Sequence, residues 1–210
     1  SATLSNGESN YEKTATYKNG VLYLNDYTGG SIITDGELKI NLSGNNTVNA
    51  TSKYGNYVDT EGKYLCGIGH NNSHGANITI MGSGSLTINA NGNGTYTRGY
   101  GIISEDYSVT IQDSATVTIN VQGFTGTNCA IYGQSVKTTS NGDLTLNVSK
   151  GSASFCDDLI GIKSYRSGGR ISLDGSGTKT IKLNGSAQSY TEGIYAQSST
   201  TQVTVNDGPL

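Results

Sequence analysis

The chain has 210 residues, a net charge of −3 and 14% charged side chains, well below the roughly one quarter that is usual in globular domains. Its 13 Lys and Arg residues form no basic cluster, which disfavours nucleic-acid binding, and no apolar run approaches the length of a membrane span. Thirty glycines, one proline and no tryptophan indicate strands and turns rather than helices.

Residues 1–19 carry no repeat and are predicted to form an N-terminal segment or cap, whereas residues 20–210 are predicted to form one repeat domain. The chain begins at Ser1 and shows no signal peptide, so we expect a piece of a longer mature protein with flanking domains. The first strand-like segment, Leu22-Tyr23-Leu24-Asn25, is read as the closing strand of an incomplete first repeat.

Four later segments align without a gap and share one pattern, apolar-x-apolar, a small polar turn, then apolar-x-apolar-Asn. They are 37–50 (ELKINLSGNNTVNA), 77–90 (NITIMGSGSLTINA), 108–121 (SVTIQDSATVTINV) and 135–148 (SVKTTSNGDLTLNV). A fifth copy, 170–185 (RISLDGSGTKTIKLNG), aligns with two extra residues. Alternation of period two predicts two strands per copy, here named strand B and strand C, each with one buried face.

A third strand, strand A, precedes each copy and is marked by a small residue followed by isoleucine. The isoleucines are Ile32, Ile68, Ile102, Ile131, Ile162 and Ile194. Three strands per roughly thirty residues predict an all-β fold, a single-stranded right-handed parallel β-helix with three sheets and about six coils. These isoleucines would stack as one inward ladder, and Ile78, Val109, Val136, Ile171 and Val203 as another. An antiparallel β-sandwich is the alternative, although it does not require such a repeat.

The asparagine after strand C recurs, which predicts a ladder of stacked amides along the helix axis. Its members are Asn25, Asn49, Asn89, Asn120, Asn147 and Asn184.

The connections from strand C to strand A vary most in length and would lie along one corner, carrying several tyrosines: Tyr54, Tyr57, Tyr64, Tyr96, Tyr100 and Tyr190. Beside that corner, the outward residues of strand A combine tyrosine rings with amides and charges, a surface suited to sugars. The small residue before each isoleucine would leave a shallow trough there. The candidate glycan-binding residues are Glu105, Tyr132, Gln134, Lys163, Tyr165, Tyr195 and Gln197.

No catalytic or metal site is assigned from the sequence. The segment around Asp157-Asp158 and the Gly69-His70 pair resemble parts of pectin-hydrolysing β-helix enzymes, but the order of the segments is reversed and His70 would lie about three coils from Asp157. Inverting hydrolysis instead needs two carboxyl groups roughly 6.5–9.5 Å apart. Calcium at Asp157-Asp158, or at Asp59 with Glu61, is left open.

The pattern of residues 78–90, ITIMGSGSLTINA, recurring with Gly-Ile strands, resembles cell-surface parallel β-helices of Gram-positive bacteria and is similar to carbohydrate-binding β-helix domains that bind cellulose and pectin. The resemblance implies a secreted or cell-surface, non-catalytic, calcium-containing module. We therefore expect an extracellular glycan-binding or adhesive module whose partner is a polysaccharide or surface glycan, with no nucleic acid and no membrane insertion. A structural stalk of a larger surface protein, and less favoured a polysaccharide lyase or hydrolase, are the alternatives.

Overall fold

The computed structural model describes residues 4–10, 12–50, 52–53, 64–70, 75–94 and 96–205, and no helix occurs among them. In chain order the first strands are β1 (Glu8–Ser9), β2 (Ala15–Lys18), β3 (Val21–Asn25), β4 (Thr28–Gly29), β5 (Ile32–Thr34), β6 (Leu38–Ser43), β7 (Asn45–Asn49) and β8 (Ser52–Lys53). They are followed by β9 (Tyr64–His70), β10 (Ile78–Gly82), β11 (Ser85–Asn91), β12 (Arg98–Ile111), β13 (Thr116–Gln122), β14 (Thr127–Thr138) and β15 (Leu144–Ser149). The last strands are β16 (Asp158–Ser164), β17 (Arg170–Leu173), β18 (Lys179–Asn184), β19 (Tyr190–Ala196) and β20 (Gln202–Val205).

Successive coils stack with parallel pairing, so the prediction of an all-β parallel solenoid is confirmed. About four turns, from β9 to β18, are complete. Shorter or partial turns precede and follow them. The six coils predicted from the sequence correspond to the six strands that stack on the face formed by strand A, face A: β5, β9, β12, β14, β16 and β19. Strands A, B and C form three faces, but β12 and β14 run unbroken through faces A and B. Faces A and B therefore share one 14-stranded hydrogen-bonded sheet, and face C forms the second, six-stranded sheet.

The core is the column of apolar side chains inside the solenoid, because stacked coils bury the inward residue of every alternating pair. Ile102 pairs with Ile68 above and Ile131 below, and the same register continues through Ile162 to Ile194. On face B, Val109 pairs with Ile78 and Val136 in the same way. Both predicted inward ladders are confirmed.

The strand A backbone departs from simple alternation at the small residue before each isoleucine. A Cβ built on Gly101 would lie 2.2 Å from Cγ2 of Ile119 on face C, and Ala130, at the same level of the next coil, belongs to the buried inner core. The small residue and the isoleucine after it thus both face inward. The prediction of a shallow trough on the outer surface is therefore wrong. These residues are small because the side chains of strand C pack against them inside the solenoid.

Two register assignments from the sequence are also wrong. Strand β3 pairs with β6, a strand of face B, so Asn25 lies opposite Ser43 and outside the amide ladder. The fifth repeat needs no insertion, because β18 pairs with β15 in a register that places Lys182 opposite Asn147 and moves Asn184 two positions along the strand. The same register puts Lys179 at the inward position of Leu144, where its ammonium group donates to the carbonyl oxygens of Gly175 and Gly177 at 2.6 and 2.5 Å.

The two ends of the solenoid differ. At the N-terminal end, β1 pairs antiparallel with β2, and β2 pairs antiparallel with β3. At the other end, the inward side chains of β20 are exposed, with Val203 and Val205 at 46% and 56% of their full accessibility.

Candidate functional site

The outward side chains of strand A form the outer A face, which carries the candidate residues predicted from the sequence. One of its columns contains Ile33, Gly69, Ile103, Tyr132, Lys163 and Tyr195, stacked in the predicted order. Glu105, Gln134, Tyr165 and Gln197 each come two residues later in the chain, and the pairing of β12 with β14 shifts register between Ser104 and Ser108, next to Glu105. Tyr132, Lys163 and Tyr195 are thus stacked on one surface, and Tyr165 contacts the same Lys163 ammonium group. Exposure differs strongly from one end of this surface to the other.

The N-terminal half of this face is a second apolar cluster rather than an open platform. Its buried members are Tyr64, Cys66, Tyr100, Ile103, Cys129, Tyr132 and Ile160. The Tyr100 ring lies 5.9 Å from that of Tyr64 and 6.0 Å from that of Tyr132, and the tilted geometry is typical of packed aromatic pairs. Because Tyr132 retains only 7% exposure, it supports its neighbours and does not offer a ring to a ligand.

Desolvation dominates the ionisation of this cluster. Burial raises the pKa of the Cys66 and Cys129 thiols to about 12, and it also raises the pKa of Tyr132 above its ordinary value. The two cysteines occupy the same column with Tyr100 between them. Both are free thiols, and they remain protonated packing groups at neutral pH.

The C-terminal half of the outer A face is open and is built around one ammonium group. Lys163 Nζ lies 5.1 Å from the ring centre of Tyr132, 5.7 Å from that of Tyr195 and 5.8 Å from that of Tyr165. Tyr190 packs against Tyr195 with ring centres 4.8 Å apart. We call Lys163, Tyr165, Tyr190 and Tyr195 the Lys163 cluster.

Two rings of this cluster are available to solvent, since Tyr165 and Tyr190 keep 44% and 43% of their accessibility. Desolvation, together with a hydrogen bond to Tyr190, raises the pKa of Tyr195 to about 12, so its phenol is neutral at physiological pH. Cation–π attraction to several rings fixes the position of the Lys163 ammonium. Tyr190, which the sequence assigned only to the variable corner, is thus part of the cluster.

Polar and charged groups surround the cluster. Arg166 forms an ion pair with Asp106 at 2.6 Å and lies 6.0 Å from the centre of the Tyr165 ring. Gln197 is exposed, whereas Gln134 and Glu105 are half-buried. These groups provide amide donors and acceptors and both charge signs within one surface.

The enzyme-like segments are not assembled into a site. His70 and Ser104 are fully buried, and the Ser104 hydroxyl contacts the backbone of Ala76. Asp158, on a strand three coils from His70, accepts a hydrogen bond from Thr127 Oγ1 at 2.8 Å. Among the residues that the structure describes, no group of three or more acidic, histidine or cysteine side chains could hold a metal ion. The candidates Tyr54, Tyr57, Asp59 and Glu61 lie outside the described residues.

The outward side chains of strand C form a second surface, the outer C face, which is flat and largely uncharged. The Asn89, Asn120 and Asn147 Nδ2 groups each donate to the Oδ1 of the asparagine one coil before, at 3.0, 2.8 and 2.8 Å. Threonines stack beside this amide ladder in register: Thr28, Thr47, Thr87, Thr118, Thr145 and Thr180. A shallow groove of about 490 Å³ follows the ladder.

No protein-family model matches the chain, and neither a curated protein nor a solved structure is significantly similar to it. Across the described residues, no helix has the length and apolar character needed to traverse a bilayer. The geometry of the two outer faces is therefore what supports a functional argument.

Proposed function

We propose that the protein is a non-catalytic, extracellular or cell-surface β-solenoid module that binds glycans through the Lys163 cluster. The observation that carries the proposal is a pair of half-exposed tyrosine rings beside a fixed ammonium group. Tyr165 contacts the Lys163 ammonium directly, and Tyr190 packs on Tyr195, whose ring also contacts it. A tyrosine offers an apolar ring to the C–H face of a sugar and a hydroxyl to its polar edge.

The rigidity of the scaffold also supports this proposal. The cluster residues lie on adjacent strands β16 and β19 or directly after β16, and these strands pair continuously from Asp158 to Ser164. Rings held on packed strands lose little conformational entropy when they bind a ligand. Cell-surface placement agrees with the low charge and the polar, asparagine-rich outer faces, although it is a separate proposal that needs its own test.

The proposal is tested by a glycan array followed by calorimetric titration of the best ligand. Replacing a ring that stacks on a sugar removes a central contact, typically worth more than about 1 kcal/mol, so Tyr165→Ala and Tyr190→Ala should weaken binding at least about fivefold. Tyr23→Ala is the matched control, because Tyr23 is 46% exposed but lies on face B near the N-terminal end.

Equal loss in all three variants would contradict the site, since the control ring lies on another face. An array without hits, obtained with folded protein, would contradict glycan binding itself. That result would favour the second candidate, a structural stalk. The exposed inward side chains of β20 support this candidate, because such side chains are normally covered by a neighbouring coil or domain. Surface labelling of intact producing cells tests the extracellular location.

A further inference from the structure

The groove on the outer C face is a candidate binding surface of a different kind. It is lined by Asn89, Asn91, Asn120, Gln122, Asn147, Ser149, Lys182 and Asn184, with Val121 and Val148 beneath. These residues come from four successive coils, so the groove runs along the solenoid axis for about 14 Å at the usual strand spacing. It has no residue in common with the Lys163 cluster.

The lining repeats the same chemistry at every level. The amide ladder uses one donor and one acceptor of each internal asparagine, which fixes the side chains and leaves the second N–H and the second lone pair of each amide for another partner. The outer edge repeats in the same way, since Gln122 donates to Asn91 at 3.1 Å. Each coil therefore presents fixed hydrogen-bonding groups that can both donate and accept.

The residues that line the groove indicate which class of ligand it could bind. Lys182 is the only charged residue in the lining, which makes the groove unsuited to nucleic acid or another polyanion. Its valines face the inner core, so it presents no apolar pocket of the kind that anchors a protein partner. Repeating hydroxyl groups, which also donate and accept, match a row of amides best.

We infer that the outer C face binds an extended, uncharged, hydroxyl-rich polymer, a neutral polysaccharide chain laid along the solenoid axis. The inference rests on the proposed function for the class of ligand but not for the site. A chain lying in this groove hydrogen-bonds across successive coils, whereas the Lys163 cluster binds a sugar by stacking. The module would then contact glycans on two separate faces.

The test is retention of the whole chain by neutral polysaccharides, measured by affinity electrophoresis in a soluble neutral β-glucan and by pull-down on microcrystalline cellulose, with polygalacturonate as the acidic comparison. Gln122→Met removes one amide at nearly constant volume and should weaken retention at least about threefold, the effect of one lost hydrogen bond. Ser149→Arg places a long charged side chain in the groove and should weaken it at least about tenfold.

Gln112→Met is the matched control, because Gln112 lies in the same coil but next to face B, where it faces Met81; its retention should equal that of the unaltered protein. Retention by a neutral polymer that is unchanged in both groove variants overturns the inference. The inference is also overturned if no neutral polymer retains the protein while the Lys163 cluster still binds its glycan. Loss in the groove variants with normal titration at the Lys163 cluster supports it, and failure of both assays contradicts both proposals.

Discussion

The amide ladder of face C should contribute measurably to stability, and Asn120 is the position at which to test it. Its Nδ2 donates to Asn89, and its Oδ1 accepts from Asn147, both at 2.8 Å. Asn120→Ala removes both hydrogen bonds. At about 0.5–1.5 kcal/mol each, the expected loss is about 1–3 kcal/mol of unfolding free energy. Asn120 is only half-buried, so water replaces part of the lost bonding and a value in the lower half of that range is expected.

Asn184→Ala is the matched control, because the sequence pattern places Asn184 in the same ladder whereas the structure puts Lys182 there. Its substitution should change the unfolding free energy by no more than about 0.5 kcal/mol, as for most surface positions. Equilibrium urea unfolding, followed by circular dichroism, measures both variants. Equal losses in the two variants, or no loss in Asn120→Ala, would refute the register and the energetic role assigned to the ladder.

Two further perturbations test the core and the second apolar cluster. Gly101→Ala would bring a methyl group to 2.2 Å from Ile119 Cγ2 and should cost about 1–3 kcal/mol of unfolding free energy by overpacking. Gly36→Ala, which meets no atom within 4 Å, should be neutral in the same urea assay, and a neutral Gly101→Ala would contradict the inward bend. Burial raises the pKa of Cys66 and Cys129 from 9.0 to about 12, so the folded state keeps their protons where the unfolded state loses them. The contribution of these thiols to the unfolding free energy should be constant below pH 9. It should fall as the pH rises towards 12, by up to about 1.4 kcal/mol per pH unit for each thiol. A double Cys66→Ala, Cys129→Ala variant with the same pH slope would show that the two thiols do not cause the fall.

The inner architecture could be predicted from the sequence because its signals are local and repeated. An isoleucine such as Ile102 recurs at each turn, and strands of period two leave one choice of inward residue, so the stacking of Ile102 on Ile131 follows directly. The repeat pattern also gave the correct register for the four gapless copies.

The errors arose where a short pattern allowed two registers or where burial depended on distant groups. Leu22-Tyr23-Leu24-Asn25 fits strand C as well as strand B, and only pairing with β6 decides between them. In the fifth repeat, an inward lysine, Lys179, is tolerated because its ammonium group reaches backbone carbonyl oxygens, which no apolar pattern could reveal. Tyr132 has the correct outward position, yet its burial depends on neighbours such as Tyr100 and Lys163 from adjacent coils.

For the candidate site, the sequence predicted a surface on strand A, and the structure brings some of the predicted residues together there. Lys163, Tyr165 and Tyr195 do come together, and Gln197 follows two residues after Tyr195, where its backbone N–H donates to the carbonyl oxygen of Ser164. The convergence of three rings on one ammonium group could not be predicted, because it depends on side-chain directions at the bend of strand A. The position of Tyr190, by contrast, could have been read from the sequence. Tyr190 precedes Ile194 by the same number of residues as Asp158 precedes Ile162, so the two residues are expected to pair on neighbouring strands.

The antiparallel hairpin at the N-terminal end limits how copies of this molecule could join. Its outermost strand, β1, has two residues and carries Glu8, features that discourage pairing with another chain. At the other end of the part of the chain that the structure describes, β20 exposes its apolar side chains and pairs with β17. Growth of a fibre requires two complementary ends on each copy, and on face B the short strand β1 does not offer an edge of the kind that pairs readily with another chain.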